Sequence, residues 1–211
     1  MGAPATGLGS MTLAELTDDV ARPDPTPGGG AVAAIVASLA AALAGMAGQY
    51  ATRRAPDVLD LRDLVQRAER LRTLAAALAD DDAAAYRRFI EASGLPRDPD
   101  PEARARAMRV ALDAAADVPL ELARAAGEIA ELGERLAATG SPALRPDACT
   151  ATLLASAVAT STAILVAENL RKRPGDPRVA EAGRCAAHAA TAARRAVAPF
   201  EHFKDVIRDG S

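Results

Sequence analysis

Aromatic residues are nearly absent from this 211-residue chain: they make up 2% of it, and there is no tryptophan. Half of the residues are nevertheless hydrophobic, and most of these are alanine, followed by leucine and valine. Alanine is the best helix former and is depleted in strands. The composition therefore predicts an all-α protein whose helices approach one another closely through small side chains.

Cysteine is scarce, and so is excess positive charge. Two cysteines, Cys149 and Cys185, form no spaced framework, which is typical of reduced thiols in the cytoplasm. The net charge is −3, and a basic face with stacking aromatics, the usual mark of nucleic-acid binding, is missing. The first residues lack the basic and apolar regions of a signal peptide. We expect a cytoplasmic protein with no nucleic-acid partner.

Two stretches, 25–52 and 148–167, carry no charge over lengths that could span a bilayer. Both are rich in alanine, glycine, serine and threonine and poor in the large apolar residues of membrane spans. A helix that is apolar all round can instead be surrounded by other helices. We therefore expect these stretches to be the central helices of a bundle, with no membrane partner.

Proline and glycine clusters divide the chain into helical segments. Helices are predicted at about 11–21, 29–52, 57–93, 102–139, 147–171 and 178–207. Pro119 and Pro199 fall inside two of them and should kink the helix or begin a new turn. The short connections predict antiparallel neighbours. The expected architecture is one antiparallel bundle of five or six long helices over residues 11–211, after a disordered tail at 1–10.

The third predicted helix contains three consecutive carboxylates, and one of them points inward. On a helical wheel Asp82 falls about 20° from Leu71, inside the apolar stripe, whereas Asp80 lies opposite and Asp81 at the edge. A carboxylate that faces an apolar interior is costly to bury, and its pKa should rise. Carboxylates with a shifted pKa cluster at active sites. The alternative is that Asp82 pairs with a buried arginine or caps a neighbouring helix.

The segment 25–30 reads Pro-Thr-Pro-Gly-Gly-Gly and leads directly into the second predicted helix. Glycines allow the backbone to approach a ligand, and free N–H groups at a helix start favour an anion or a carbonyl oxygen. The Gly-Lys-Ser/Thr of a phosphate loop does not follow. A flexible entry turn explains the segment equally well.

Three other features have ordinary structural explanations. Asp147 precedes an uncharged helix and suits an N-cap. Arg53 and Arg54 end the second predicted helix, where cations match the negative end of the helix dipole. Cys185 and His188 share a helix, but two cysteines and two histidines in the whole chain do not predict a metal site.

In their order and spacing, several segments resemble the formiminotransferase-cyclodeaminase C-terminal family, which contains formimidoyltetrahydrofolate cyclodeaminases and stand-alone methenyltetrahydrofolate cyclohydrolases. The resemblance covers nearly the whole chain. It rests on the PTPGGG segment at 25–30, the pair Arg53-Arg54, the stretch from Asp82 to Tyr86 followed by Gly-Leu-Pro-Arg at 94–97, the run 116–120, the loop 140–147 and the pair Asn169-Leu170.

The resemblance implies an all-α bundle that forms a homodimer and binds a tetrahydrofolate derivative as its substrate, without a metal. The family's acid/base carboxylate corresponds to Asp82, the residue that the helical wheel also selects. The implied substrate-binding residues are Gly28, Gly29, Gly30, Arg53, Arg54, Tyr86, Asp147 and Asn169, with the two arginines meeting the glutamate tail.

Four positions depart from the family pattern: Ala31 where serine or glycine is common, Ser141 where asparagine is usual, Pro146 where serine is usual, and Leu165 where another asparagine is expected. Losing a pocket amide could change the substrate or abolish turnover. Three hypotheses remain at this point. The chain is a cyclohydrolase or cyclodeaminase, a diverged member with other C–N chemistry or ligand binding alone, or a structural bundle without a site.

Overall fold

The computed structural model describes residues 7–55, 59–96, 100–173 and 175–200. Within these residues the chain forms α-helices and short 3-10 turns and no strand, which confirms the all-α prediction. The helices are α1 (Leu13–Ala21), α2 (Gly29–Arg54), α3 (Leu59–Gly94), α4 (Pro101–Thr139), α5 (Arg145–Asn169) and α6 (Pro177–Val197), and the 3-10 turns are Leu8–Ser10 and Pro142–Leu144.

Alanine builds the centre of the bundle, where α2 packs against α3, α4 and α5. Ala34, Ala37, Ala41 and Ala44 recur at helical spacing on α2 and are completely buried. Larger buried side chains are contributed by α4, through Leu122, Ile129 and Leu132. Small residues on α2 thus allow its neighbours to approach closely.

Two glycines show how the helices are aligned along the bundle. A Cβ on Gly48 of α2 would lie 3.6 Å from the Leu136 side chain of α4. A Cβ on Gly133 of α4 would lie 3.0 Å from the carbonyl oxygen of Ala148, at the start of α5. The end of α2, the end of α4 and the start of α5 therefore share one end of the bundle.

The observed helix bounds follow the prolines closely. Pro101 and Pro177 begin α4 and α6, while Pro119 lies buried inside α4. The last helix ends at Val197, two residues before Pro199, so the prediction of a helix through that proline is wrong. Residues 201–207 of that predicted helix, and 57–58 of the third, lie outside the described residues.

The segment before α1 is ordered where it is described. Leu8–Ser10 forms a 3-10 turn, in a stretch where the sequence suggested a disordered tail, and residues 1–6 lie outside the described part. The Leu8 amide donates to the Asp80 carboxylate of α3 over 2.8 Å. A capping box between Thr12 and Glu15 then begins α1.

Two helical segments among the described residues are long and apolar enough to span a bilayer: Gly29–Arg54 and Pro142–Asn169. Their mean hydropathies are 2.1 and 1.7, and 56% and 44% of the most apolar window is buried. Burial by neighbouring helices accounts for part of this apolar surface and leaves the rest exposed.

An ion-pair network joins α4 to the start of α6. The Arg178 guanidinium donates to Asp113 and Asp117 of α4, over 2.9 and 2.8 Å, and to Asp176 just before α6. Arg173, in the loop after α5, also donates to Asp113 over 2.6 Å. The Arg178 side chain is only 18% exposed, so this network is partly shielded from water.

Candidate active site

The Asp82 carboxylate lies against the first turn of α2. The backbone N–H of Ala31 donates to it, and the side chain is half-buried between α3 and α2. Burial raises the pKa of Asp82 above its ordinary value, and the Ala31 amide partly opposes this rise because it stabilises the charged form. The half-buried position of Asp82 thus increases its affinity for a proton.

The two neighbouring carboxylates face other surroundings. Asp81 is exposed, and Asp80 is exposed while it accepts the hydrogen bond from Leu8. One of three consecutive aspartates therefore turns inward, in the orientation that the helical wheel predicts. Asp82 is held by a backbone amide, and the described residues place no arginine against it.

A cleft of about 960 Å³ lies between the N-terminal segment, the loop before α2 and the middle of α3. Asp81 and Ala83, the neighbours of Asp82 along the chain, line this cleft, whereas Asp82 itself does not. Thr26 and Pro27 line it on one side, and Ala83 and Ala84 on the other. Its charged residues are five acids and two arginines: Glu15, Asp18, Asp19, Asp80, Asp81, Arg22 and Arg87. Carboxylates outnumber cations here, which favours a ligand with positive charge.

The N-terminal wall of this cleft was missed by the sequence analysis. Residues 7–22 supply Glu15, Asp18 and Asp19 to it. The Thr-x-x-Glu capping box at 12–15 predicts the start of helix α1, but the position of α1 at the cleft that Asp80 and Asp81 also line depends on the tertiary structure.

The three predicted glycines stand at the start of α2 but differ in their surroundings. A Cβ on Gly30 would overlap the Asp82 carboxylate, whereas nothing lies within 4 Å of a Cβ on Gly29. A Cβ on Gly28 would meet the Pro25 carbonyl oxygen at 3.8 Å, an ordinary contact. Tyr86, one turn beyond Asp82, is 43% exposed.

Arg53 and Arg54 lie at the opposite end of α2. Gly30 and Arg53 are 23 positions apart, which corresponds to about 35 Å along a helix. The Arg54 guanidinium stacks over the Tyr50 ring at 4.9 Å, and Arg53 lines a shallow groove of about 320 Å³ against α3. Within one chain, these arginines are not brought together with Asp82.

Asp147 belongs to that same distant end. It lies in the first turn of α5, whose N-cap is Leu144, so the predicted N-cap role is wrong. Proline at the start of a helix is favoured, and Pro146 lets α5 begin before Asp147. The carboxylate still faces the positive end of the helix dipole.

Asn169 and the departing positions have structural surroundings of their own. The Asn169 side-chain amide donates to the Ala115 carbonyl over 2.6 Å and ties α5 to α4. Leu165 is half-buried on α5, and the buried Ser141 hydroxyl has no hydrogen-bond partner among the described residues. Asn169 thus has a packing role that is independent of any substrate.

Comparison with known proteins places this geometry in context. The sequence profile of the formiminotransferase-cyclodeaminase family matches residues 12–196. A methenyltetrahydrofolate cyclohydrolase from Methylorubrum extorquens is 34% identical over 168 residues, which cover 77% of this chain and 81% of that protein. The mouse formimidoyltransferase-cyclodeaminase is 36% identical over 143 residues, 65% of this chain but only 26% of the mouse protein.

The fold agrees with the same comparison. The crystal structure of formiminotetrahydrofolate cyclodeaminase from Thermotoga maritima superimposes with a TM-score of 0.78 at 28% sequence identity. The match covers 89% of this chain and 94% of that one. Profile, sequence relatives and fold agree over nearly all of the described helices, and the chain belongs to the formiminotransferase-cyclodeaminase family.

Proposed function

We propose that the protein is a folate one-carbon enzyme, a methenyltetrahydrofolate cyclohydrolase or formimidoyltetrahydrofolate cyclodeaminase, with Asp82 as its general acid/base. The observation that carries the proposal is the half-buried Asp82 carboxylate, held by the Ala31 amide next to an acid-lined cleft that its chain neighbours Asp81 and Ala83 line. The names of the relatives supply the substrate class.

Both reactions occur at the carbon carried by N5, or bridging N5 and N10, of the folate. In the cyclohydrolase reaction, water adds to the cationic amidinium carbon while Asp82 accepts a proton from the water. A carbon–nitrogen bond of the adduct then breaks, the departing nitrogen takes the proton from Asp82, and the hydroxyl releases its proton to solvent to leave the formyl product. In the cyclodeaminase reaction, N10 attacks the formimino carbon and Asp82 delivers the proton with which ammonia leaves. General acid–base catalysis of this kind contributes about 10² to 10⁴ in rate.

The electrostatics of the cleft favour this chemistry. The amidinium bridge and a protonated formimino group are cations, and carboxylates outnumber arginines on the cleft walls. A negative surface beside the reacting carbon attracts the substrate and stabilises its charge. The glutamate tail of a folate, which is anionic, should extend away from this surface.

The first experiment follows loss of methenyltetrahydrofolate absorbance, and separately release of ammonia from formiminotetrahydrofolate, for the purified protein. Asp82→Asn should lower kcat by about 10² to 10⁴ because the acid/base group is removed. Asp63→Asn is the matched control, since it makes the same change at an exposed position on the same helix. Full turnover by Asp82→Asn would refute the catalytic assignment.

Departures from the family pattern favour a second candidate function, that of a diverged family member that binds a folate or turns over another C–N substrate. Leu165 and Ser141 stand where the family pattern has asparagines, and both lie outside the acid-lined cleft. Folate binding by calorimetry with no change in absorbance would support it, and Leu165→Asn would then be the first variant to test.

We further propose that the active enzyme is a homodimer in which each site uses residues from both chains. Ala42 is exposed at the middle of α2, about equally far from Gly30 and Arg53. Leu39 and Met46, on either side of Ala42 along α2, are 61% and 41% exposed. A two-fold axis at Ala42 with antiparallel α2 helices brings the Asp82 end of one chain to the Arg53 end of the other.

Mixing inactive variants tests this arrangement. Asp82→Asn and Asp147→Asn should each be inactive alone, and an equal mixture that is unfolded and refolded together should regain about a quarter of wild-type activity, because heterodimers contain one intact site. A fully active Asp147→Asn, a mixture that stays inactive, or a monomer by analytical ultracentrifugation would contradict the shared site.

A further inference from the structure

The Asp82 carboxylate fills the space in which residue 30 would carry a side chain. All three atoms nearest to a Cβ placed on Gly30 belong to this carboxylate, with Oδ2 at 2.6 Å and Oδ1 and Cγ closer still. Real Cβ atoms do not approach other atoms so closely. Any residue other than glycine at position 30 must displace the carboxylate.

This contact distinguishes Gly30 from the rest of its motif. Gly29 has open space where a Cβ would stand, and Gly28 has only an ordinary contact at 3.8 Å. None of the three has a positive φ, so backbone conformation does not require glycine at 30. The Asp82 carboxylate of α3 is what requires a glycine at position 30.

The docked carboxylate reaches a backbone donor that has no partner within its own helix. Because α2 begins at Gly29, the Ala31 N–H belongs to the first turn, where amides lack intrahelical acceptors. That amide donates to Asp82. The positive end of the α2 dipole adds to the attraction.

We propose that Gly30 is a positioning residue: by having no side chain, it lets the Asp82 carboxylate dock on the first turn of α2, where the Ala31 amide fixes the orientation of the carboxylate oxygens. The catalytic consequence rests on the proposed function of Asp82. The docking itself does not, and it can be measured without a substrate.

A double-mutant cycle on thermal stability tests the docking. Gly30→Ala should be less favourable to Tm in the wild-type background, where the new methyl group displaces the carboxylate, than in an Asp82→Ala background, where the colliding atoms are gone. The difference between the backgrounds is the readout, because alanine is the better helix former in both. An equal change of Tm in both backgrounds would show that the methyl group does not compete with the carboxylate and would overturn the proposal.

The pKa of the Asp82 carboxyl, followed by carbon NMR against an Asp82→Asn reference, gives a second readout. Burial is the main cause of the raised pKa and the Ala31 amide a smaller opposing one. Gly30→Ala should therefore move the pKa down toward the ordinary value as the carboxylate is pushed toward water. An unchanged pKa would contradict the proposal.

If Asp82 is the acid/base, Gly30→Ala should lower kcat by about 10²-fold, as expected for misplacement of a catalytic group, with a smaller effect on KM and a shifted pH–rate profile. Gly45→Ala on the same helix is the matched control, because its Cβ would meet Ala68 at 3.5 Å, an ordinary contact. Activity of Asp82→Asn would refute the catalytic role while the Tm cycle and the NMR titration still decide the docking.

Discussion

Individual glycines determine how closely the helices of this bundle approach, and they do so unequally. A Cβ on Gly133 of α4 would overlap the Thr152 hydroxyl and lie 3.0 Å from the Ala148 carbonyl oxygen and 3.1 Å from the Thr152 amide. A Cβ on Gly127, on the same helix and also buried, would only meet the Cys185 carbonyl at 3.8 Å.

Gly133→Ala should therefore destabilise the protein by about 1 to 3 kcal/mol, because backbone atoms of α5 cannot move aside cheaply. Gly127→Ala should leave the free energy of unfolding unchanged or raise it by up to about 1 kcal/mol, since alanine is the better helix former. Urea denaturation of both variants checks this, and equal stabilities would show that α4 and α5 tolerate a wider separation.

Asp82 shows what sequence reveals of a single site residue. Its inward orientation was predictable because the period of an α-helix fixes which face a residue occupies. Its partners were not, because Gly30 and Ala31 are 52 and 51 positions away along the chain. Only the packing of α2 on α3 brings them to the carboxylate.

At the level of whole helices, the starts were predicted well and two details were not. Proline fixes φ and lacks an N–H, so it marks the start of a helix strongly, as at Pro101 and Pro177. Pro146 led to a wrong assignment of Asp147 as an N-cap, because α5 already begins at Arg145. Helix α6 ends at Val197, before Pro199, where a longer helix was expected.

Helices α2 and α5 have the least distinctive sequence pattern, although they lie at the centre of the bundle. Their uncharged stretches predicted central positions, and α2 indeed contacts α3, α4 and α5. Which faces stay exposed could not be predicted, because a helix that is apolar all round has no wheel pattern to indicate it. The exposed Leu39, Met46 and Ile164 emerge only from the structure.

Across the whole molecule, most of the predicted site residues separate into two groups, one at each end of α2. Asp82 of α3 packs against the glycines at the start of α2, whereas Arg53 and Arg54 end α2 and Asp147 lies on the first turn of α5 near them. A sequence gives the order of such residues along the chain, but their separation of about 35 Å follows from how the helices run.

The Arg178 network ties the outer helix to the bundle and should contribute to overall stability. Arg178→Met should lower Tm by several degrees, because it leaves Asp113, Asp117 and Asp176 without their shared partner. Arg171→Met is the matched control, since Arg171 makes a single exposed pair with Glu168 and such pairs contribute little.

The same network predicts a pH dependence. Hydrogen bonds from Arg178 lower the pKa of Asp176 from 3.8 to about 2. Because the pKa of Asp176 is lower in the folded protein than in the unfolded chain, the ionised carboxylate stabilises the fold at any pH above the unfolded pKa. This stabilisation is lost as pH falls from about 4 to about 2. The Tm difference between wild type and Arg178→Met, measured by circular dichroism, should shrink over that range, and a constant difference would contradict the ion-pair explanation.

The alanine core has a consequence for how this protein can evolve. Residues such as Ala34, Ala41 and Ala126 are fully buried, so truncation can reach only glycine, and a large side chain would push a neighbouring helix away. Core positions should drift mainly among glycine, alanine and the slightly larger serine and cysteine. Innovation in the lineage is thereby directed to helix ends and exposed faces, which is where the cleft and the arginines lie.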